Sequence, residues 1–395
     1  MTIDLQRCSM ARWSRQILFG DVDAMFSSAA IVKDPSLAGK PVAVGGPAPR
    51  GIIAAASYAV RSFGVHSAMP TAEALRLCPH LVLIPTDRPL YRRLHEQMQA
   101  VTDRLFPLTE WSSIDEFYAD TTDLQTLYPD PMALGRLVKQ TIFDNTGLRC
   151  TVGVATGKTV AKIAADAHKP DGLAVVPPGT EAEFLGSRPI RALPGIGPKT
   201  AARLEPLGLK TIGDLLEARW ESALHHLFGT RLHWVQELAR GIDHEPVVAD
   251  RESKSLSHET TFEQDTNDRA YLEQLLHGFL KTLAYDLRQD GLAAASCTVK
   301  LKDSRFTITT KQRAFPHPLN YEPEMWPTIK QALHELLKPG IKYRLAGLGL
   351  SSLAPAPPSL YDQRRSKAIA AMDALAARHG SAVIGLGGVT REDDG

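Results

Sequence analysis

Glu110-Trp-Ser-Ser-Ile-Asp-Glu-Phe-Tyr-Ala-Asp120 sets two adjacent carboxylates, Asp115 and Glu116, in an alternating run with Ile114, Phe117 and Tyr118. Such a run reads as a β-strand, or as the tight turn between two strands. Neighbours in a strand point to opposite faces, so one of the two acids would face a core. A buried carboxylate is costly unless something positive meets it. A metal ion, or a turn that lets both acids reach one cleft, removes the conflict. The bland alternative is a solvated acidic turn.

Far upstream, Gln16-Ile-Leu-Phe-Gly-Asp-Val-Asp-Ala-Met-Phe26 is an apolar strand that ends in Asp21 and Asp23. Two strands that each finish in carboxylates can set three acids around one point, which is an oxygen site for a hard divalent ion. Mg²⁺ keeps several waters and takes few protein carboxylates plus substrate phosphates. Two ions roughly 3.5–4 Å apart clamp the attacking and leaving oxygens of an in-line displacement. These residues point to phosphoryl or nucleotidyl transfer.

The chain has 395 residues, too long for one ordinary core, so roughly two to four domains are expected. With 44% hydrophobic and 23% charged residues, the composition is that of a soluble globular protein. The net charge of +1 gives no global field for nucleic acid, so any basic surface must be local. Cys8, Cys78, Cys150 and Cys297 show no paired metal spacing and read as small buried hydrophobes in a reducing compartment. No apolar run approaches the roughly 20 residues that span a bilayer. Residues 1–14 carry no apolar signal core and read as a loose extension, and a cytoplasmic location is expected.

Along the chain, strand and helix patterns alternate to about residue 183, an α/β or α+β core. Tyr58 and Arg61 stand at helical spacing, where a hydroxyl and a guanidinium reach one ligand, and the planar guanidinium suits phosphate oxygens. The alternative is a surface Arg beside a half-buried Tyr. Gly157-Lys158-Thr159 resembles the end of a phosphate loop, but the first glycine of that motif falls on Val152, so the motif is rejected. Lys162 and Lys169 are candidates for phosphate contact. Leu193-Pro-Gly-Ile-Gly-Pro-Lys199, entering a helix, is a helix-hairpin-helix pattern. Gly195 and Gly197 let the backbone approach a ligand, helix N–H groups favour a phosphate, and Lys199 adds charge. Such a hairpin holds a nucleic-acid backbone without reading sequence.

Residues 241–257 are polar, carry both charge signs and lack periodicity, which marks a linker. Beyond it the pattern is strand-helix-strand-strand-helix-strand, an open four-stranded sheet with two helices on one face. Cys297, Val299 and Leu301 alternate with Thr298, Lys300 and Lys302; on the next strand Phe306 and Ile308 alternate with Thr309 and Lys311. The polar face suits phosphates. Its alternative is a plain solvated sheet. Residues 364–378 have the spacing of a further helix, and 387–395 read as disordered.

Taken in order, Asp21-Val-Asp-Ala-Met-Phe26, Ala56-Ser-Tyr-Ala-Val-Arg-Ser-Phe-Gly-Val65, Ser113-Ile-Asp-Glu-Phe-Tyr118, Ala161-Lys-Ile-Ala-Ala-Asp166, Lys169-Pro-Asp-Gly172 and Leu193-Pro-Gly-Ile-Gly197 resemble the motifs of Y-family translesion DNA polymerases, most of all the bacterial polymerase IV branch. The resemblance runs from about residue 15 to about residue 353. It implies an α+β right hand: palm in 15–29 and 88–183, fingers in 30–87, a helix-hairpin-helix thumb in 184–245, a linker in 246–256, a little finger in 257–353 and a tail in 354–395. It implies Asp21, Asp115 and Glu116 as ligands of two Mg²⁺ ions, with the Val22 carbonyl completing one, and no ligand role for Asp23. Tyr58, Arg61 and Lys169 would grip the triphosphate of a deoxynucleotide, and Phe26 would be a steric gate against a 2′-hydroxyl. Gly195, Gly197, Lys199, Lys300 and Lys302 would hold the backbone of primer-template DNA. Small residues from Ala54 to Ser57 would leave the template base loosely covered. The implied activity is low-fidelity, template-directed synthesis past lesions, in DNA repair and damage tolerance, by a monomer away from membranes.

Val22 and Met25 depart from the family, which has an aromatic or Met at the first position and an aromatic at the second. Met25 and Ala24 are expected to loosen packing under the nucleotide. The tail carries Pro357-Pro-Ser-Leu-Tyr361 where relatives often have a Gln-led peptide for the sliding clamp, a degenerate form of that motif. Two competing readings are an inactive paralogue that recruits repair proteins and another palm-type enzyme such as a nucleotide cyclase. The first tends to lose acids that this chain keeps. The second gives no reason for the hairpin.

Overall fold

The computed structural model describes residues 12–249 and 253–356, with Ala371, Asp373 and Ala374 of the tail. It divides into two units, Met1–Arg251 and Glu252–Gly395. Among the described residues no helix is long and apolar enough to cross a membrane.

The first unit runs β1 (Ile17–Val22), α1 (Met25–Lys33), β2 (Val42–Gly45), β3 (Ile53–Ala56), α2 (Tyr58–Arg61), α3 (Thr71–Leu77) and β4 (Val82–Ile84). It continues through α4 (Arg88–Leu105), β5 (Thr109–Trp111), β6 (Glu116–Asp120), α5 (Pro131–Thr146), β7 (Cys150–Ala155), α6 (Lys158–Asp166) and β8 (Leu173–Val175). It closes with α7 (Glu181–Gly186), α8 (Pro198–Leu204), α9 (Glu221–Phe228) and α10 (Leu232–Ala239).

Five strands form one sheet in the order β5-β6-β1-β7-β8. All six residues of β1 are buried, because helices cover both faces. Leu18, Val22 and Phe117 pack with Leu94, Met98, Leu134 and Val138 of α4 and α5. Ile17, Phe19 and Tyr118 pack on the other face with Val160, Ile163 and Ala164 of α6. Two glycines set the spacing. A Cβ at Gly20 would meet Phe117 at 2.4 Å, and one at Gly153 would meet the Ala161 carbonyl oxygen at 2.0 Å. A smaller sheet, β3-β2-β4, lies on Ala43, Ile53, Val60 and Val65.

One expectation is corrected in this unit. Trp13 is not part of a loose extension: it is buried and exchanges hydrogen bonds with Gln125, N–H to Oε1 at 2.7 Å and Nε2–H to its carbonyl at 3.0 Å. The hairpin glycines are flanked by a 3₁₀ turn, Ile190–Ala192, and by α8, while the stretch after Leu209 forms only the 3₁₀ turn Gly213–Leu216. Leu193 and Ile196 are buried and anchor the loop, which leaves Gly195, Gly197 and Lys199 exposed.

The second unit holds β9 (Ser255–Thr266), α11 (Arg269–Gln289), β10 (Leu292–Asp303), β11 (Ile308–Leu319), α12 (Glu322–Leu336) and β12 (Tyr343–Pro355). The sheet order is β11-β10-β12-β9, with α11 and α12 packed on one face. The order strand-helix-strand-strand-helix-strand is as expected from periodicity. The facing of β11 is not: Phe306 is 58% exposed and Ile308 51%. Pairing of Leu301 with Thr309 and of Val299 with Lys311 puts the polar row on the helix side. Glu335 of α12 meets that row, binding Lys311 at 2.7 Å and also Arg313, so an apolar row is not needed there. β9 begins inside the stretch expected as linker, and Val247, near the start of that stretch, is buried in the first unit. Within the expected tail helix only Ala371, Asp373 and Ala374 are described; Asp373 binds Arg288 at 2.8 Å. Residues 387–395 lie outside the described residues.

Gly153→Ala tests the strand-to-helix spacing. The new methyl group meets backbone, which cannot rotate away, so the first unit loses about 1–3 kcal/mol. Chemical denaturation followed by tryptophan fluorescence reads the loss, and an unchanged midpoint would show that α6 shifts freely.

Candidate active site

β1 and β6 are antiparallel neighbours, and their register sets Asp21 directly opposite Glu116. Both acids lie on the sheet face that carries Phe19 and Tyr118, toward α6. Asp115 precedes β6 in the turn after β5, and its carbonyl accepts the Val22 N–H at 3.0 Å. The opening stretch is therefore a strand, a turn and a strand. Ser113 holds that turn: its hydroxyl binds the Asp115 carboxylate and accepts the N–H of Glu116 at 3.1 Å. β1 ends because Ala24 turns into the left-handed region at φ 48°, where a small side chain limits the steric cost.

A cavity of ≈ 240 Å³ is lined by Asp21, Val22, Phe26, Tyr58, Arg61, Asp115, Glu116 and Lys169, with Ala24, Met25, Ala54, Ala55 and Ser67. Arg61 is held flat over the Tyr58 ring, 4.2 Å from its centroid, and donates from Nε to the Ala56 carbonyl at 3.1 Å. Phe26 stacks on Tyr91 with centroids 4.2 Å apart. Met25 is buried in the core and also lines the cavity. Val22 is also buried, and it lines the cavity wall.

Lysines meet two of the acids. Lys169 pairs with Asp21, and Lys162 with Glu116 at 2.6 Å. Burial pushes the Asp21 carboxyl up to about 7 despite Lys169, with the Glu116 and Asp115 charges adding to the rise. Burial works against the Glu116 carboxylate as well, but Lys162 outweighs it and holds the group below the usual range. For Lys169, burial opposes the ammonium, while the Asp21 and Asp166 carboxylates hold its pKa above the ordinary value. Burial and the Asp23 charge raise the Tyr58 hydroxyl.

Among the described residues no three carboxylate, imidazole or thiolate groups converge as a metal set. Asp21 and Glu116 are turned onto lysines, and Asp115 onto Ser113. The donors gathered at the cavity are nonetheless all hard oxygens, and Asp21 stays poorly compensated with Lys169 beside it. That chemistry fits a hard divalent cation.

The hairpin residues Gly195, Gly197 and Lys199 do not line this cavity. A separate groove is lined by Lys162, Asp166, Arg188, Arg191 and the turn from Leu193 to Gly197. Lys300 and Lys302 belong to the second unit. Lys300 is paired with Glu259 at 2.7 Å, in an ion pair whose side chains stay 33% and 50% exposed. Lys302 lies 5.2 Å from the centroid of Phe306.

Sequence reasoning missed several supports. Lys158, the lysine of the rejected loop motif, is buried in an ion pair with Glu110. Glu110 also accepts the Val248 N–H at 2.9 Å, and Asp243 accepts that of Thr159 at 2.8 Å. Nothing local links these positions. His95 holds the acidic turn through the Ile114 carbonyl at 3.0 Å. Only Ser113 had a signal, a serine two residues before an acid.

Comparison with known proteins shows the family of this chain. Sequence models of the impB/mucB/samB family match residues 20–166, its C-terminal domain residues 253–363, and its HHH motif residues 178–209. The DNA polymerase IV of Methanoculleus marisnigri is 42% identical over 353 residues, 87% of this chain and 96% of the relative. That of Halorhodospira halophila is 38% identical, over 86% of this chain and 96% of its own. Among solved structures, the Y-family DNA polymerase chimera Dbh-Dpo4(243-245)-Dbh aligns with a TM-score of 0.77 at 27% identity, over 85% of this chain and 98% of that one. An insertion ternary complex of Dbh DNA polymerase aligns at 0.62 with the same identity and coverage. Y-family enzymes are DNA-directed DNA polymerases of low fidelity that act in translesion synthesis and use divalent metal ions. Three family segments in order, acids gathered on the central strands, a hairpin and a four-stranded C-terminal sheet have one common account: the chain belongs to the Y-family DNA polymerases, on the polymerase IV branch of the impB/mucB/samB family.

Proposed function

We infer that Asp21, Asp115, Glu116 and the Val22 carbonyl hold two Mg²⁺ ions, and that Tyr58, Arg61 and Lys169 bind the triphosphate of an incoming deoxynucleotide on primer-template DNA. One observation carries this reading: these residues and Phe26, drawn from four separate stretches of chain, line a single cavity. The reaction joins the primer 3′-oxygen to the α-phosphorus, expels pyrophosphate and releases the hydroxyl proton. Bound divalent ions supply neutralisation of the transferring phosphoryl group and activation of the hydroxyl.

The protein's own residues orient and select. Arg61 offers a planar guanidinium already held by Tyr58 and the Ala56 carbonyl, so little rotamer freedom is lost on meeting a phosphate. Lys169 exchanges its Asp21 partner for triphosphate oxygens. Phe26, supported from behind by Tyr91, fills the space a ribose 2′-hydroxyl needs. Ala54 and Ala55 give the cavity a short-chained wall, which suits loose cover of the template base.

For the DNA duplex, Gly195, Gly197, Lys199, Lys300 and Lys302 act as backbone contacts, and the exposed hairpin supports this. Here the palm is the five-stranded sheet with its helices, the fingers the three-stranded sheet, the thumb the hairpin region and the little finger the second unit. The chain is taken as a cytoplasmic monomer. Clamp binding rests on the tail peptide from Pro357 to Tyr361, which lies outside the described residues.

Asp115→Ala is expected to lower single-nucleotide incorporation by at least ~10³-fold while a gel-shift assay finds DNA binding retained. A mutant that still extends primers would overturn the metal assignment. Phe26→Ala is expected to admit ribonucleotides, lowering the preference for deoxynucleotides by roughly 10²-fold or more. Unchanged sugar discrimination in competition assays would remove Phe26 from the gate.

A further inference from the structure

Asp23 is the acid of the first motif that the metal reading leaves without a task. It is 5% exposed, yet donors from three separate parts of the chain meet its carboxylate. Oδ1 accepts the Thr151 hydroxyl of β7 at 2.9 Å and lies 3.4 Å from the Tyr58 hydroxyl of α2. Oδ2 accepts the backbone N–H of Asp171 at 2.8 Å. Its own main chain is pinned as well: the N–H donates to the Arg149 carbonyl at 3.0 Å, and the carbonyl accepts the Ser28 hydroxyl at 2.6 Å.

The donor at Asp171 matters because of what that turn carries. Asp171 sits at φ 53°, a left-handed conformation that an L-residue holds only when its surroundings enforce it. Its side chain is bound by Lys139 and Arg149, each at 2.8 Å. Gly172 completes the turn with no room for a Cβ, which would lie 2.0 Å from the His168 carbonyl oxygen. Two residues before Asp171 is Lys169. Hydrogen bonds to a buried charge are short and directional, so Asp23 fixes this turn, and Tyr58 beside it, to the end of the strand that bears Asp21.

We propose that Asp23 is a positioning residue: it sets Lys169 and the Tyr58 hydroxyl at the spacing a triphosphate needs, and joins both to β1. The inference rests on the reading of Lys169 and Tyr58 as triphosphate contacts. Asp23→Asn keeps the shape but removes the charge and one of the two acceptor oxygens, leaving an amide donor facing another donor. The Lys169 turn then loses its anchor while the Asp21, Asp115 and Glu116 set is intact.

Single-turnover incorporation on saturating primer-template separates nucleotide half-saturation from maximal rate. It is measured for the wild type, Asp23→Asn, Thr151→Val, Tyr58→Phe, Lys169→Ala and the double variant Asp23→Asn/Lys169→Ala. Asp23→Asn is expected to raise the half-saturating nucleotide concentration roughly tenfold with less than ~3-fold change in maximal rate. Thr151→Val, which removes one donor and leaves the carboxylate, moves the same parameter less, and it carries the test if Asp23→Asn does not fold. The double variant is expected to be weaker for nucleotide than Lys169→Ala alone by less than the Asp23→Asn effect in the wild type, because Asp23 acts through Lys169 as well as through Tyr58. Fully additive effects, or a fall in maximal rate with half-saturation unchanged, overturn the proposal. If Lys169→Ala and Tyr58→Phe themselves leave half-saturation unchanged, the triphosphate reading has failed, and that result is distinct from a failure confined to Asp23.

Discussion

The constraint on which this molecule turns is electrostatic: a strand buried on both faces must end in carboxylates. β1 is apolar through Phe19 and fully buried, and its register sets Asp21 against Glu116 of β6 on the same face. Two acids on adjacent strands repel each other and lose solvation together. The fold answers with Lys162 and Lys169, both delivered by α6 and the turn beyond it. The Asp21 carboxyl still stands near 7, so the end of the sheet keeps a demand for positive charge. Y-family polymerases use divalent metal ions, and a site of this charge fits one.

α6 can make this delivery because its backbone packs directly on the sheet. Gly153 lets the helix backbone approach β7, and Ala161, Ala164 and Ala165 are fully buried beneath it. Beyond the helix, the turn through Asp171 and Gly172 aims Lys169 back at β1, and Asp23 holds that turn. On the far side of the cavity Arg61 and Tyr58 rest on a separate three-stranded sheet, stacked on each other. Helices and a tightly held turn thus carry the charged groups, while Ala24, Ala54 and Ala55 supply short side chains to the cavity wall.

The first unit has a further charge layer away from the cavity. Lys158 and Glu110 form a buried pair whose carboxylate also holds the Val248 N–H, and Asp243 caps the start of α6 through Thr159. These bonds bind the chain leaving α10 to the catalytic sheet. Breaking one partner of such a pair leaves an uncompensated buried charge, which costs more than the pair contributes. In the second unit the corresponding solution is Glu335, which neutralises Lys311 and Arg313 on the helix side of β11.

Much of this was legible in sequence because it rests on local chemistry. Alternation and apolar runs marked the strands, Asp21, Asp115 and Glu116 stood at strand ends, and Tyr58 and Arg61 shared a helical turn. The Gly195 and Gly197 hairpin carried its own signature. What sequence alone determined was therefore the elements, the acids that gather at the end of the central strands and the kind of ligand that hard oxygen donors select. Only the tertiary structure decided which lysine meets which acid, that Asp23 is a fastener, that Lys158 is buried and that Lys300 is already engaged by Glu259. Those outcomes depend on contacts between residues tens to more than a hundred positions apart, such as Asp23 with Thr151 and Asp171. The facing of β11 was misread for the same reason. Alternation shows that a strand has two faces, but the partner packed against it decides which face is inside, and here a carboxylate from α12 made the charged face the inner one.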